Sequence, residues 1–144
     1  MIRIIAVGKI KENYLVNMIE DYLKRVNKYH KVEIIEIPDD NPKSEGNKIL
    51  LKIEKNGFNI AMDIKGEKYS STGFAELIDN TLMHKANINF IIGGSDGLSK
   101  EVLDVVHMKL SFSELTFPHG LFRAVLLEQI YRSFKIINNE SYHK

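Results

Sequence analysis

Three short polar stretches carry residue types that could hold a small ligand. Gly93-Gly94-Ser95-Asp96-Gly97-Leu98 follows an apolar run, and its glycines permit positive φ and close approach of a ligand to the backbone. It lacks the G-x-G-x-x-G dinucleotide fingerprint, and no G-K-[ST] follows as a phosphate-binding Walker loop requires. An ordinary turn and a nucleotide contact both fit it. Between Ser111 and Gly120, Ser111, Ser113 and Thr116 interleave with Phe112, Leu115 and Phe117, with Glu114 among them, ahead of Pro118 and His119. Apolar walls with a few hydroxyl and backbone hydrogen bonds suit an aromatic heterocycle. A helix entry fastened by a hydrophobic staple would use the same residues. Asp63-Ile64-Lys65-Gly66-Glu67 is the third stretch, a turn or a further wall.

Other chemistries have little to stand on. His30, His84, His107, His119 and His143 show no H-x-x-x-H or H-E-x-x-H spacing, and there is no Cys, so a catalytic metal is not expected. No G-x-S-x-G elbow occurs, which removes the usual serine hydrolase signature. Toward the C-terminus Arg123, Glu128 and Arg132 interrupt an apolar pattern. Glu128 and Arg132 share a helix face, either as a solvated pair or with the arginine held beside an anionic substrate.

These residues have to be positioned by regular elements, and the hydrophobic pattern supplies them. Ile2–Val7, Val32–Ile37, Phe58–Asp63, Ile88–Ile92 and Met108–Phe112 are short, β-branched-rich runs that read as strands. Several are continuously apolar, as strands covered on both faces of a parallel sheet would be. Asn13–Tyr29, Ser44–Lys55 and Ser71–Lys85 have helical period; Ser99 can cap a short helix to Val106, and Pro118 suits the first turn of a long helix ending near Ile137. Pro38-Asp39-Asp40-Asn41-Pro42 reads as a turn. The alternation predicts one α/β domain over residues 1–144, with a mainly parallel sheet of five to six strands and helices on both faces. In such sheets ligands sit beyond the carboxyl ends of the strands, where all three polar stretches fall. The last residues, Asn138 to Lys144, are either a free tail or one that folds over a ligand or partner.

The chain has 144 residues, 20 Lys+Arg against 19 Asp+Glu, and a net charge of +1. It has no room for an appended recognition domain, and its charge argues against indiscriminate nucleic-acid binding while allowing a local basic patch. The apolar N-terminal hexamer is too short for a signal peptide, and no run approaches transmembrane length. A soluble cytoplasmic protein is expected, and the lack of Cys fits a reducing compartment.

Taken in order, Ile2-Arg3-Ile4-Ile5-Ala6-Val7-Gly8-Lys9, Ile34-Ile35-Glu36-Ile37-Pro38, Phe90-Ile91-Ile92-Gly93-Gly94-Ser95-Asp96-Gly97-Leu98, Leu110-Ser111-Phe112-Ser113 through Thr116-Phe117-Pro118-His119, and Glu128-Gln129-Ile130-Tyr131-Arg132 to Tyr142-His143-Lys144 resemble the bacterial large-subunit rRNA methyltransferase H family of the SPOUT superfamily. The resemblance covers essentially the whole chain. It implies a homodimer with a C-terminal trefoil knot that binds S-adenosylmethionine in a bent conformation. It also implies methylation of N3 of a pseudouridine in the helix 69 loop of 23S rRNA on the assembled 70S ribosome. Carried over by motif, the cofactor contacts would be Met62, Gly93, Phe112, Ser113, Glu114, Leu115, Thr116 and Phe117, with Met62 replacing a more usual Leu of similar volume. The catalytic positions would be Arg132, on a phosphate or uracil carbonyl, with Tyr142 and His143 in base stacking and proton handling.

The segment from Pro38 to Asn56 is shorter than in the family, so ribosome affinity is the property expected to differ. A near-neutral dimer without an RNA-binding domain would need a large shaped target, which predicts poor activity on protein-free rRNA. Two further classes stay open from the residues alone: a nucleotide-binding module without catalysis, and a structural, ribosome-associated dimer.

Overall fold

A computed structural model describes residues 1–54 and 56–144. Its elements run β1 (Ile2–Val7), α1 (Asn13–Val26), β2 (Val32–Ile37), α2 (Pro42–Lys52), β3 (Gly57–Lys68), α3 (Ser71–His84), β4 (Asn87–Ile92), α4 (Lys100–Val105), β5 (Met108–Ser111) and α5 (His119–Ile137). The strands form one five-stranded sheet in the order β2-β1-β4-β3-β5, and every pairing is parallel.

Crossover handedness explains where the helices lie. The steps β1 to β2 and β3 to β4 run one way along the sheet, and β2 to β3 and β4 to β5 run the other. A single handedness then puts α1 and α3 on one face and α2 and α4 on the opposite face. The core divides accordingly. Ile4, Ala6, Ile60, Ile88 and Phe90 pack with Ile19 of α1, Phe74 and Ile78 of α3, and Leu126, Leu127 and Ile130 of α5. On the other face Ile5, Val7, Ile37 and Ile91 meet Ile49 of α2 and Val102 of α4. Burying side chains such as Phe74 and Phe90 contributes about 1.5–3 kcal/mol each. The smaller face is closed by contact at Gly46, where a Cβ would lie 2.2 Å from Ser99 Oγ.

Several boundaries differ from the sequence pattern for local reasons. α1 stops at Val26 because Asn27 turns its side chain to the carbonyls of Leu23 and Val32, at 2.7 and 3.0 Å. α2 begins at Pro42, two residues before the expected start, because Asn41 caps it by accepting from the Ser44 amide at 2.9 Å. Lys55, the expected end of that helix, lies outside the described residues. Pro118 stands at the N-cap of α5, one position ahead of its first turn.

β3 departs furthest. It pairs with Leu110 of β5 through Met62 and again through Glu67, so Asp63 to Gly66 loop outward between two contacts with one residue. Gly66 permits the return, since a Cβ there would come within 2.6 Å of the Lys109–Leu110 backbone. A Gly66→Ala variant is expected to lose about 1–3 kcal/mol of unfolding free energy by overpacking. Denaturant unfolding checks this, and a midpoint equal to wild type would show that the loop gives way freely.

Candidate cofactor pocket and tail cluster

Parallel strands all end at one edge of the sheet, and there the ends of β3, β4 and β5 enclose a cavity of about 370 Å³ with the segment leading into α5. This falls within the size range of small-molecule sites. Met62, Gly93, Phe112, Ser113, Leu115, Thr116 and Phe117 all line it. Glu114 does not, because it is exposed and its carboxylate pairs with Lys68 Nζ at 3.0 Å. Leu98 and His119, at the ends of the two candidate stretches, also line the cavity, and so does Leu110, which sequence pattern read only as part of a strand.

The apolar wall is anchored in the core by a chain of aromatic contacts. Phe90 meets Phe74 at 5.8 Å, Phe74 meets Phe112 edge-on at 5.5 Å, and Phe112 meets Phe122 at 5.5 Å, itself 5.8 Å from Phe117. Such pairs add about 0.5–1.5 kcal/mol each beyond their burial. The wall therefore presents rigid rings. The hydroxyl residues shape the loop: Ser111 Oγ donates to the Ser113 carbonyl at 3.0 Å, and Ser113 Oγ accepts from the Leu115 amide at 2.9 Å. Opposite, the Gly97 amide donates to the Gly94 carbonyl at 3.0 Å, and Gly97 has φ +80°. Gly93 is held by space, because a Cβ there would lie 3.0 Å from the Gly97 carbonyl carbon. The cavity can take a flat heterocycle against rings on one side and bare backbone on the other.

Arg132, Tyr142 and His143 form a second group, and the residue that gathers them is Glu128. Its carboxylate accepts from Arg132 Nη2 at 2.6 Å, from Arg132 Nε at 3.1 Å and from the Tyr142 hydroxyl at 3.0 Å. Arg132 Nη1 lies 3.1 Å from His143 Nδ1, and its guanidinium sits 4.8 Å from the Tyr142 ring centre. The i,i+4 spacing displayed the Glu128–Arg132 pair in the sequence but not the tail that returns to it. That return starts at Asn139, a left-handed residue with φ 56°, and is fastened by Glu140, which accepts from Tyr29 at 2.8 Å and Lys135 at 2.9 Å. The tail therefore folds back on α5.

Burial first, and then the Glu128 carboxylate, raise the Tyr142 phenol above its usual 10.0. Tyr142 is thus a hydrogen-bond donor at neutral pH, with less phenolate present than in an ordinary tyrosine. Its ring also packs edge-on against Tyr131 at 5.0 Å. Of the two tail residues, His143 is the more exposed. From His119 at the cavity to Arg132, α5 rises roughly 20 Å. Apart from Glu114, the structure gathers the expected pocket residues in one place and the expected tail residues in another.

A family model described as "Predicted SPOUT methyltransferase" matches residues 1–143. The chain belongs to the SPOUT methyltransferase family. It is 48% identical over 157 residues to ribosomal RNA large subunit methyltransferase H 1 of Clostridium perfringens (strain SM101 / Type A), covering 99% of both chains. The identity is also 48% over 157 residues, with 99% of both covered, to ribosomal RNA large subunit methyltransferase H of Carboxydothermus hydrogenoformans. These relatives place the chain in the methyltransferase H group. Alignments of 157 positions also exceed the 144 residues of this chain, so both relatives carry segments it lacks. Among solved structures, the chain resembles a "probable methylase family protein" of Haemophilus influenzae Rd KW20 at a TM-score of 0.58 and 14% identity, over 99% of this chain and 70% of that one. An A. aeolicus TrmH/SpoU tRNA modifying enzyme gives 0.53 at 16% identity over 95% and 77%. These two likenesses bear on the fold alone.

The tail contacts have a measurable consequence. The hydrogen bond from Tyr142 to the charged Glu128 is of a kind worth about 1.5–3 kcal/mol, so Tyr142→Phe should speed amide exchange across residues 138–144 while leaving the sheet protected. Because the folded phenol has the higher pKa, its contribution is complete below pH 10 and fades as pH rises further. Tail protection that falls between pH 7 and 9 in the wild type would contradict this.

Proposed function

We propose that this chain is the S-adenosylmethionine-dependent methyltransferase of N3 of a pseudouridine in helix 69 of 23S rRNA, acting as a cytoplasmic homodimer on the assembled ribosome. The observation that carries the reading is the cavity at the ends of β3, β4 and β5 in a chain 48% identical to proteins named ribosomal RNA large subunit methyltransferase H. The residues present fit the cofactor: aromatic and aliphatic walls for the adenine, and a backbone floor at Gly93 too close for any side chain. Met62, Gly93, Phe112, Ser113, Leu115, Thr116 and Phe117 would hold it.

Bound there, S-adenosylmethionine supplies an electrophilic methyl group on a sulfonium. The protein's task is to align the target nitrogen in line with that carbon, take up the imide proton and keep water away. An extruded base has to enter for this to occur. His143 serves as the proton acceptor, Arg132 holds a phosphate or carbonyl oxygen, and Glu128 orients Arg132.

The separation of roughly 20 Å along α5 supports a site shared between protomers, the tail of one chain completing the pocket of the other. A trefoil threading of the C-terminal region is compatible with the path from edge strand β5 across the strand ends to α5, which packs against α1 and α3.

Mass spectrometry of rRNA nucleosides should show methylpseudouridine with the gene and none without it; an unchanged peak would falsify the activity. Purified protein should methylate ribosomes well and protein-free rRNA poorly. The shared site has its own test in mixed dimers. Ser113→Trp, which fills the pocket, and Arg132→Ala/His143→Ala, which strips the tail, should each be inactive. Remixed in equal amounts they should recover about a quarter of wild-type activity, because half of the dimers keep one intact site. Failure to recover any would place pocket and tail in the same chain's reaction.

A further inference from the structure

Beside the cofactor cavity lies a second cavity of about 380 Å³, bounded by the end of β1, the start of α1, the turn after β2 and the start of α5. The two adjoin at Gly94, Ser95 and His119, which line both. Resting on the activity proposed above, we infer that this second cavity receives the extruded target base, an imide ring presenting carbonyl oxygens and N–H groups, and that Lys9, Tyr14 and Asp39 recognise it.

Uncommitted polar groups converge on this cavity. Lys9, Tyr14 and Asp39 line it, and their side chains make no hydrogen bond or ion pair among the described residues. Arg123 also lines it. That side chain is 97% buried, with Nη1 on Glu36 at 2.7 Å and Nη2 on the Gly8 carbonyl at 3.2 Å, so it fixes the inner end of the cavity rather than its open side.

The donor set matches an imide. Lys9 can only donate, as carbonyl oxygens require, and the Asp39 carboxylate can only accept, as an imide or imino N–H requires. Tyr14, 72% exposed at the mouth, offers an aromatic face on which an unstacked base can lie. The turn beside the carboxylate has Gly8 at φ +100°, a backbone conformation that side chains rarely adopt. A ring held here borders the space of the methyl donor along Gly94, Ser95 and His119. The reaction then balances without a further reagent: N3 forms its bond to the methyl carbon as the carbon–sulfur bond breaks, the electron pair goes to sulfur, and the imide proton goes to a protein base.

The test uses full-length Tyr14→Ala, Lys9→Ala and Asp39→Ala proteins, with ribosomes as substrate and calorimetry of S-adenosylmethionine binding. All three positions lie at the surface, and thermal melting confirms that each variant is folded. Each variant is expected to lose 10-fold or more in kcat/KM for ribosomes while binding the cofactor within 2-fold of wild type. Unchanged kinetics in all three, with an active wild type, sink the base pocket alone. A parallel loss of cofactor affinity assigns the cavity to the cofactor and overturns the proposal. A wild type that methylates no ribosome removes the activity reading and the base pocket with it.

Discussion

Parallel pairing puts the carboxyl ends of all five strands on one edge, and most of what this protein can do depends on that constraint. Each strand end must hand the chain to a crossover helix on one face or the other, so the loops after β3, β4 and β5 have nowhere to go but over the same edge. A ligand cavity forms where those loops meet. The long excursion of Asp63 to Gly66, anchored twice on Leu110, widens that edge without ending the strand.

Helix α5 extends the same logic in a second direction. It leaves the pocket at His119, crosses the sheet between α1 and α3, and carries Glu128 and Arg132 away from the cavity that its first turn helps to build. The tail does not return to its own pocket. Instead Tyr142 and His143 settle on Glu128 and Arg132, and Glu140 on Lys135 and Tyr29, so a short C-terminal segment with little apolar content is held by charge-assisted bonds. The cavity and the charged cluster therefore stand at different points along one helix, about 20 Å of helix rise apart.

Much of the architecture was legible because it follows from period and punctuation. Continuous apolar runs marked buried parallel strands, and Ser99 marked a helix start through a cap that is in place. The Gly93 loop and the Ser111–Pro118 segment stood out by composition, and both line the cavity. What was not legible depended on meetings between distant segments. Glu128 looked like half of a solvated pair because nothing in its neighbourhood announces Tyr142. The continuation of β3 to Lys68 was hidden because Asp63 to Lys68 is polar, and its pairing rests on the missing Cβ of Gly66. Arg123, read as a charge interrupting an apolar face, is buried against Glu36 and Gly8.

The sequence by itself therefore determined the element order, the parallel α/β class, the family likeness and the stretches able to line a ligand site. Those properties are written in local periodicity, in turn and cap chemistry, and in motif order. Tertiary structure alone decided that Glu114 faces outward, that Glu128 organises the tail, that a second cavity with unspent polar groups adjoins the first, and that tail and pocket stand apart. Each of these is a distance between residues far apart in the chain, set by which strand lies beside which and by the rise of one helix, and one-dimensional spacing carries no such distances.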